Sequence, residues 1–187
     1  KVGYIPVGTA NILQIEIKVP KNAEFIAKVL IAGNTKKISL PKINDQFFFL
    51  MAGVGFDGKI VASINANIKK YIGKIIFILK GFQQFLFLDN DKIEILIKGK
   101  RIEADWILSM NSKYYAGPHK IAKLNNIFKS GLVTYIFKDL TRIKILHYLF
   151  LILFRGNLSS AKSVITTHAK NIKINKLTSN LVVQTDG

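Results

Sequence analysis

The fold is decided by residues 47–58, FFFLMAGVGFDG. This apolar and aromatic run, bounded by glycine, predicts a strand that is buried on both faces. The glycines at 53, 55 and 58 let the backbone bend, or approach another group, where a side chain would clash. Asp57 therefore stands where a core strand opens to a surface. Its position fits a polar functional site, but the pattern alone favours a tight turn whose acid hydrogen-bonds its own backbone.

Outside this stretch, the spacing of apolar residues predicts more strands than helices. Strict alternation is typical of half-buried strands, and a 3.6-residue period is typical of amphipathic helices. These patterns predict strands at 2–7, 36–43, 45–54, 92–97, 102–110, 131–138, 164–167, 171–174 and 181–185, and helices at 22–31, 59–88 and 141–154. Residues 11–19 stay ambiguous, because their alternation favours a strand whereas Asn11 is a good N-cap for a helix. Many strands with few helices between them favour an antiparallel sandwich over a doubly wound sheet.

Composition excludes several kinds of site. The 187 residues include no cysteine, so the chain has neither a disulfide framework nor a thiolate metal site. Its three histidines lie far apart in sequence, which argues against a histidine metal cluster. The net charge of +17 favours acidic partners such as nucleic acid, anionic lipid or nucleotide phosphates, although an A/T-rich genome also produces such lysine-rich chains. The apolar run 143–154 is too short for a membrane span, which takes about 20 residues, so we expect a soluble intracellular protein.

Five short motifs follow one another along the chain. They are YIPVGTAN at 4–11, MAGVGFDG at 51–58, NSKYYAGP at 111–118, SGLVTYIF at 130–137 and QTDG at 184–187. In this order they resemble the bacterial diacylglycerol kinase family, which also includes the sphingosine kinases. The resemblance implies a mostly β fold with some α, in which residues 34–187 form the C-terminal antiparallel β-sandwich domain of a two-domain lipid kinase. Residues 1–33 would be a remnant of its α/β nucleotide-binding domain, most of which would precede Lys1.

The activity that the resemblance implies is transfer of the γ-phosphoryl group of ATP, with Mg²⁺, to a lipid hydroxyl such as that of diacylglycerol. Such a transfer depends on groups that position the phosphates and neutralise their charge. The resemblance assigns Gly8, Thr9 and Asn11 to nucleotide binding, Asp186 to catalysis, and Asp57 and Tyr115 to the lipid. Gly8 also fits on physical grounds, since a glycine lets backbone N–H groups approach phosphate oxygens. Asp186 is part of an incomplete pair, because the family's Asp-Gly-Glu is cut after Gly187.

The sequence departs from the family at Ser130 and Thr134. Many members have aspartates at these positions, and the two acids help to hold a structural magnesium ion. Two hydroxyls are poor replacements for two carboxylates around a hard dication. We therefore predict that this magnesium site is missing or much weakened.

The sequence is compatible with three functions. The first is the lipid kinase, in the cytoplasm and peripheral at the inner membrane face, with ATP and a lipid alcohol as partners; the chain as given would be inactive alone. The second is a noncatalytic relative that binds lipid or membrane, suggested by Ser130, Thr134 and the cut ends. The third, a nucleic-acid binder, rests on charge alone, and we expect no nucleic-acid partner. Exposed sandwich edges also make a homodimer an expectation.

Overall fold

The computed structural model describes residues 1–8, 10–64, 75–88, 91–97, 99–176 and 181–186. Its α-helices are α1 (Ile12–Ile17), α2 (Ala23–Ala32), α3 (Phe56–Ala62), α4 (Ile75–Leu86) and α5 (Arg142–Phe150), which continues into a π-helix (Leu151–Arg155), and a 3₁₀ turn follows at Leu158–Ser160. The strands are β1 (Lys42–Ile43), β2 (Gln46–Phe47), β3 (Met51–Gly55), β4 (Ile93–Ile97), β5 (Lys100–Ala104), β6 (Trp106–Met110), β7 (Tyr114–Tyr115), β8 (His119–Lys120), β9 (Leu132–Phe137), β10 (Val164–Ala169), β11 (Lys173–Lys176) and β12 (Val183–Thr185).

A five-stranded sheet in the order β10-β9-β6-β3-β12 is the centre of the molecule. Neighbouring strands in it are antiparallel, and β3 pairs with β6 on one side and with β12 on the other. Gly53 is the registered partner of both Leu108 and Gln184. Since registered partners point to the same face of a sheet, these three positions share one face.

A three-stranded antiparallel sheet, β11-β4-β5, covers the opposite face of this large sheet. The two sheets enclose an aliphatic core, with side chains from both: Val54, Ile93, Ile95, Ile97, Ala104, Ile107 and Ile136. Two antiparallel sheets packed face to face over such a core form a sandwich. The predicted mostly β architecture with an antiparallel sandwich is therefore confirmed.

Helix α5 and the π-helix cover the other face of the large sheet. Ile145, Tyr148, Leu151 and Ile152 point inward and belong to the larger core cluster. Aromatic rings connect the two layers, because Trp106 stacks on Phe137 at 3.9 Å between centroids and Phe137 meets Tyr148 at 5.0 Å. With layers on both sides, every residue of β3 and β6 is buried. This is the doubly buried strand that residues 47–58 predicted.

The first 33 residues differ from the prediction at one point. The strand predicted at 2–7 is wrong: these residues form no strand, and the Val7 N–H donates locally to the Ile5 carbonyl. A strand needs a neighbouring ladder, and an isolated segment does not supply one. The ambiguous residues 11–19 form a helix, α1, and the helix predicted at 22–31 is confirmed as α2, with Asn22 accepting from the Phe25 amide as its N-cap.

Two predicted long strands are each divided. The segment 45–54 becomes β2, in a short hairpin with β1 around Asn44 (φ 50°), and then β3 in the large sheet. The segment 102–110 is broken at the buried Asp105, where the chain crosses from the small sheet to the large one. Asp105 Oδ2 accepts a hydrogen bond from the Leu140 amide at 2.7 Å, and a polar group buried without such a partner would be costly.

The strand predicted at 36–43 is wrong over most of its length, because only Lys42–Ile43 pair with a neighbouring strand. The other predictions agree with the structure where it describes them. The strand at 131–138, the helix at 141–154 and the last three strands are confirmed as β9, α5 with its π-helix, β10, β11 and β12. The helix predicted at 59–88 appears as α3 and α4, and residues 65–74 between them lie outside the described residues. Among the helices of the described part, none has the length and apolarity that crossing a membrane takes.

Candidate functional site

Asp57 lies at the junction of a buried strand and a helix. β3 ends at Gly55, whose φ of +85° is a conformation that side-chain-bearing residues rarely adopt, and α3 begins at the next residue. This puts Asp57 in the first helical turn, where a negative charge is favourable. Its side chain is 7% exposed. The tight-turn interpretation is therefore wrong, because Asp57 is helical and its acid contacts distant residues.

Two side chains from different elements donate to this carboxylate. The Tyr115 hydroxyl, from β7, lies 2.8 Å from Oδ1, and Gln184 Nε2, from β12, lies 2.5 Å from Oδ2. A Cβ placed on Gly53 would collide with Asp57 Oδ2 and would lie 2.8 Å from Gln184 Nε2. The missing side chain at Gly53 therefore makes the space in which Asp57 and Gln184 meet.

Burial sets the protonation behaviour of the pair. It raises the pKa of the Asp57 carboxyl above its ordinary value, and the hydrogen bonds from Tyr115 and Gln184 partly offset this by favouring the charged form. Burial also raises the pKa of Tyr115 well above its ordinary value, and the negative charge of Asp57 adds to this effect. The phenol consequently keeps its proton and donates to Asp57. The arrangement is a buried hydrogen-bond acceptor of raised basicity.

Asp186 lies two residues beyond Gln184, and its carboxylate is engaged by the backbone. Oδ2 accepts from the Phe49 amide at 2.8 Å, and Oδ1 accepts from the amides of Leu50 at 2.8 Å and Met51 at 3.1 Å. Its own N–H donates to the Met51 carbonyl. These contacts fasten the residues after β12 to the start of β3. The structure thus shows a structural role for Asp186, and its catalytic role stays a prediction.

The nucleotide-binding predictions fall on the turn before α1. Gly8 is exposed, and Thr9 lies outside the described residues. Asn11 adopts a left-handed conformation (φ 46°) at the N-cap position, but its side chain makes no capping bond there and instead donates to the Pro6 carbonyl at 3.2 Å. α1 is a six-residue helix, so it adds little dipole at this turn. The nucleotide-binding roles stay predictions.

The buried Glu16 joins α1 to the loop that carries Tyr115. It accepts from the Ser112 hydroxyl at 2.6 Å and from the Lys113 amide at 3.4 Å, with the Lys113 ammonium 3.8 Å away. The helix after the predicted nucleotide-binding turn is thus connected to the loop that carries Tyr115, the residue predicted to contact the lipid. Sequence reasoning missed Glu16 and Ser112, because these two residues lie 96 positions apart along the chain and no local pattern connects them.

Gln184 was missed as well, although it lies in the quoted QTDG motif. Its partner, Asp57, lies 127 positions away along the chain, so no local pattern marks the contact. The structure thus brings Asp57, Tyr115 and Gln184 into direct contact, with Asp186 next to them on the same segment.

The two hydroxyls at the predicted weakened magnesium site lie in different surroundings. Ser130 is exposed, whereas Thr134 is fully buried and its hydroxyl lies 3.1 Å from that of Ser109 in the neighbouring strand. Within the described ranges, no group of three or more histidine or acidic side chains could hold a metal ion. The statement about magnesium stays a prediction.

Comparison with known proteins shows the class of fold and then particular relatives. No protein-family model matches the chain. A crystal structure of a diacylglycerol kinase from Bacillus anthracis str. Sterne superposes with a TM-score of 0.70 at 24% identity, covering 98% of this chain and 60% of that one. A second crystal structure from the same organism gives a TM-score of 0.72 at 23% identity, with the same coverage. The architecture is that of the C-terminal β domain of diacylglycerol kinase structures.

Sequence relatives carry the same name. The chain is 25% identical over its whole length to the diacylglycerol kinase of Staphylococcus aureus (strain bovine RF122 / ET3-1), and 24% identical to that of strain JH9. It spans 59% of the length of each of these relatives. The resemblance to bacterial diacylglycerol kinases that the five motifs predicted is confirmed.

Proposed function

We propose that the chain forms the lipid-facing part of an ATP-dependent lipid kinase whose acceptor is a diacylglycerol-like alcohol. One observation carries the proposal: the buried Asp57 carboxylate, held by Tyr115 and Gln184 over the space at Gly53. Three of the five family motifs supply these residues. The names of the relatives support the same conclusion.

In this proposal Asp57 positions the acceptor hydroxyl. Each carboxylate oxygen already accepts one hydrogen bond and has a further lone pair, so a lipid hydroxyl can donate to it. The reaction forms a bond from the hydroxyl oxygen to the γ-phosphorus and breaks the bond to the β,γ-bridging oxygen. The hydroxyl proton leaves to a base, and ADP is released. An acid of raised pKa is the better proton acceptor near neutral pH, so Asp57 is suited to draw this proton away from the oxygen.

ATP would approach from the side of α1. We assign its phosphates to the turn of Gly8, Thr9 and Asn11, where the exposed glycine leaves the backbone accessible. Mg²⁺ would arrive with the nucleotide, held mainly by phosphate oxygens and water, since the described residues offer no cluster of acids for it. Asp186 would serve catalysis chiefly by fixing β12, and with it Gln184, against β3.

The lipid substrate requires contact with a bilayer. The net charge of +17 favours the anionic inner face of a bacterial membrane, so we propose that the protein acts there as a peripheral protein.

A noncatalytic lipid-binding relative is the second candidate. It is favoured by Thr134, whose hydroxyl pairs with Ser109 inside the sandwich where many family members have an acid. Such a protein would bind lipid and transfer no phosphate.

The test is a phosphoryl-transfer assay of the full-length gene product with γ-labelled ATP and a panel of lipid alcohols. We expect labelled lipid from the unaltered protein and about a hundredfold lower rate from Asp57→Asn, which keeps the size of the side chain. Asp139→Asn is the matched control, because Asp139 is exposed and is not among the residues that contact Asp57. Label from none of the alcohols would overturn the kinase proposal in favour of the second candidate, and equal rates for both variants would remove Asp57 from it.

A further inference from the structure

Helix α5 and the π-helix after it carry two apolar stripes instead of one. The inner stripe, Ile145, Tyr148, Leu151 and Ile152, is buried in the core. The outer stripe repeats at helical spacing and is exposed: Ile143 81%, Leu146 54%, Leu149 47%, Phe150 48%, Leu153 54% and Phe154 74%. A helix on a protein surface normally has a polar outer face. This outer stripe therefore has no explanation in the packing of the described residues.

Helix α4 extends the same kind of surface. Its exposed residues include Ile78, Phe82 and Leu86, followed by Phe87 just beyond its end. The Arg142 guanidinium donates to the Leu86 carbonyl at 2.7 Å and to the Phe85 carbonyl at 3.2 Å, which fastens the end of α4 to the start of α5. The apolar residues of the two helices thus belong to adjoining elements.

The charges along the outer stripe are mainly positive, and the exposed Asp139 lies just before α5. Residues 140–185 include no aspartate or glutamate, and neither do residues 75–88. Cationic side chains lie at both ends of the stripe, with Arg142 and Lys144 at the start of α5 and Arg155 at the end of the π-helix. Lys123 joins that end, since its ammonium lies 3.5 Å from the Arg155 carbonyl.

We propose that the outer stripe of α5 and the π-helix is the membrane-docking surface of this protein, and that it lies in the interface of a bilayer with anionic headgroups. Exposed leucine, isoleucine and phenylalanine flanked by basic residues are the pattern of helices that lie in such an interface. A second copy of the chain is the less favourable occupant, because pairing would bring together two chains of net charge +17. The inference deepens the proposed lipid kinase by naming the surface through which it reaches its substrate.

Vesicle sedimentation of the full chain tests the proposal. The variant is Ile143→Ser/Phe154→Ser, compared on vesicles of phosphatidylglycerol with phosphatidylcholine in equal parts. The matched control is Ile31→Ser/Phe47→Ser, which removes the same two residue types at similar exposures of 86% and 62% and changes no charge. We expect the first variant to bind about tenfold more weakly and the control to bind like the unaltered chain. Equal binding by both variants would overturn the proposal.

A second variant reports insertion directly, and it keeps the test decisive if the double variant does not fold. Trp106 is the single tryptophan of the sequence, and it is 4% exposed in the core. Phe154→Trp adds an exposed indole, whose emission should move to shorter wavelength when anionic vesicles are added. Phe47→Trp is the control and should show no such movement. A shift in the control alone, or in neither variant, would contradict the proposal.

The docking surface and the kinase activity can fail separately. With a short-chain acceptor dispersed as single molecules, the Ile143→Ser/Phe154→Ser variant should keep the full rate of phosphoryl transfer. With an acceptor embedded in vesicles, its transfer rate should fall by about the same factor as its vesicle affinity. If the substitutions abolish vesicle binding but the unaltered protein phosphorylates no lipid, the docking surface is supported and the kinase proposal is refuted. Sedimentation equilibrium without lipid would show concentration-dependent pairing, abolished by the same variant, if the stripe were instead a dimer interface.

Discussion

Gly53 contributes to the site through the side chain it lacks. Gly53→Ala would place a methyl group against Asp57 Oδ2 and 2.8 Å from Gln184 Nε2, inside a packed and fully buried strand. Overpacking of this kind costs about 1–3 kcal/mol, so we expect a lower free energy of unfolding in urea, together with a lower rate of the proposed phosphoryl transfer.

Gly81→Ala is the matched control for this substitution. A Cβ at Gly81, within α4, would have Ile60 Cδ1 as its nearest neighbour at 3.9 Å, which is ordinary contact. Alanine is a better helix former than glycine, so this variant should gain about 0.5–1 kcal/mol. A Gly53→Ala protein as stable as Gly81→Ala would show that the space above Gly53 is not needed.

Asp57 should make the stability of the fold depend on pH. Because burial raises its pKa in the folded chain above 3.8, the folded state binds the proton more tightly than the unfolded state. The free energy of unfolding should therefore fall as pH rises from about 4 through the raised pKa, by about 1.4 kcal/mol for each unit of difference, and then level off. Asp57→Asn lacks this titration. Urea unfolding of both proteins from acid to neutral pH measures the difference, and a constant difference across that range would contradict the assignment.

Tyr115→Phe provides an independent check on the same titration. Removing the phenol takes away a hydrogen bond that favours the charged carboxylate, so the pKa of Asp57 should rise further. The fall in stability should extend to higher pH in this variant than in the unaltered protein. An unchanged profile would mean that Tyr115 does not support the charge on Asp57.

At the scale of single residues, sequence reasoning located part of the site. The glycines around Asp57 marked it because a backbone that approaches another group needs them, and Tyr115 was marked by its motif. Gln184 and Glu16 were missed because their partners lie 127 and 96 positions away along the chain. Contacts of this kind depend on which strands become neighbours, and a local pattern carries no information on that.

At the scale of elements, Asp186 connects β12 to β3. Asp186→Asn keeps a residue that tolerates the left-handed conformation (φ 58°) but turns an N–H₂ group toward one of the three backbone amides. We expect a loss of about 1–2 kcal/mol in the free energy of unfolding, and faster amide exchange in β12 by NMR or mass spectrometry. Asp139→Asn is again the control, since Asp139 has a similar φ of 49° and an exposed side chain, and it should change stability by less than about 0.5 kcal/mol. Equal effects would refute the anchoring role.

Elements that have one clear period were predictable. The periodicity of α2 and the alternation of β4 agree with the structure, because a single packing face determines each of them. The break at Asp105 was not predictable, since β5 and β6 read as one continuous alternation. What separates them is a change of sheet, and the buried hydrogen bond to the Leu140 amide stabilises it.

For the whole molecule, the numbers of predicted strands and helices indicated the class of fold. The order of the strands in the sheets could not be predicted from the sequence. The apolar run 47–58 indicated a layer on each side of β3, and the structure supplies them as the small sheet and α5. Nothing in that run indicates that β12, rather than a nearby strand, completes the edge of β3. The division predicted between residues 33 and 34 stays a prediction, as does the assignment of residues 1–33 to a nucleotide-binding domain.

The position of β12 beside β3 has a consequence for synthesis of the protein. Asp57 and Gln184 are 127 positions apart, so until the ribosome reaches Gln184 one edge of β3 is unpaired and the Asp57 carboxylate lacks the hydrogen bond from the Gln184 amide. An unpaired, apolar strand edge is a template for pairing with other polypeptides. A nascent chain stalled before residue 184 should therefore be retained by chaperones, and the complete set of contacts at Asp57 forms only when translation passes that point.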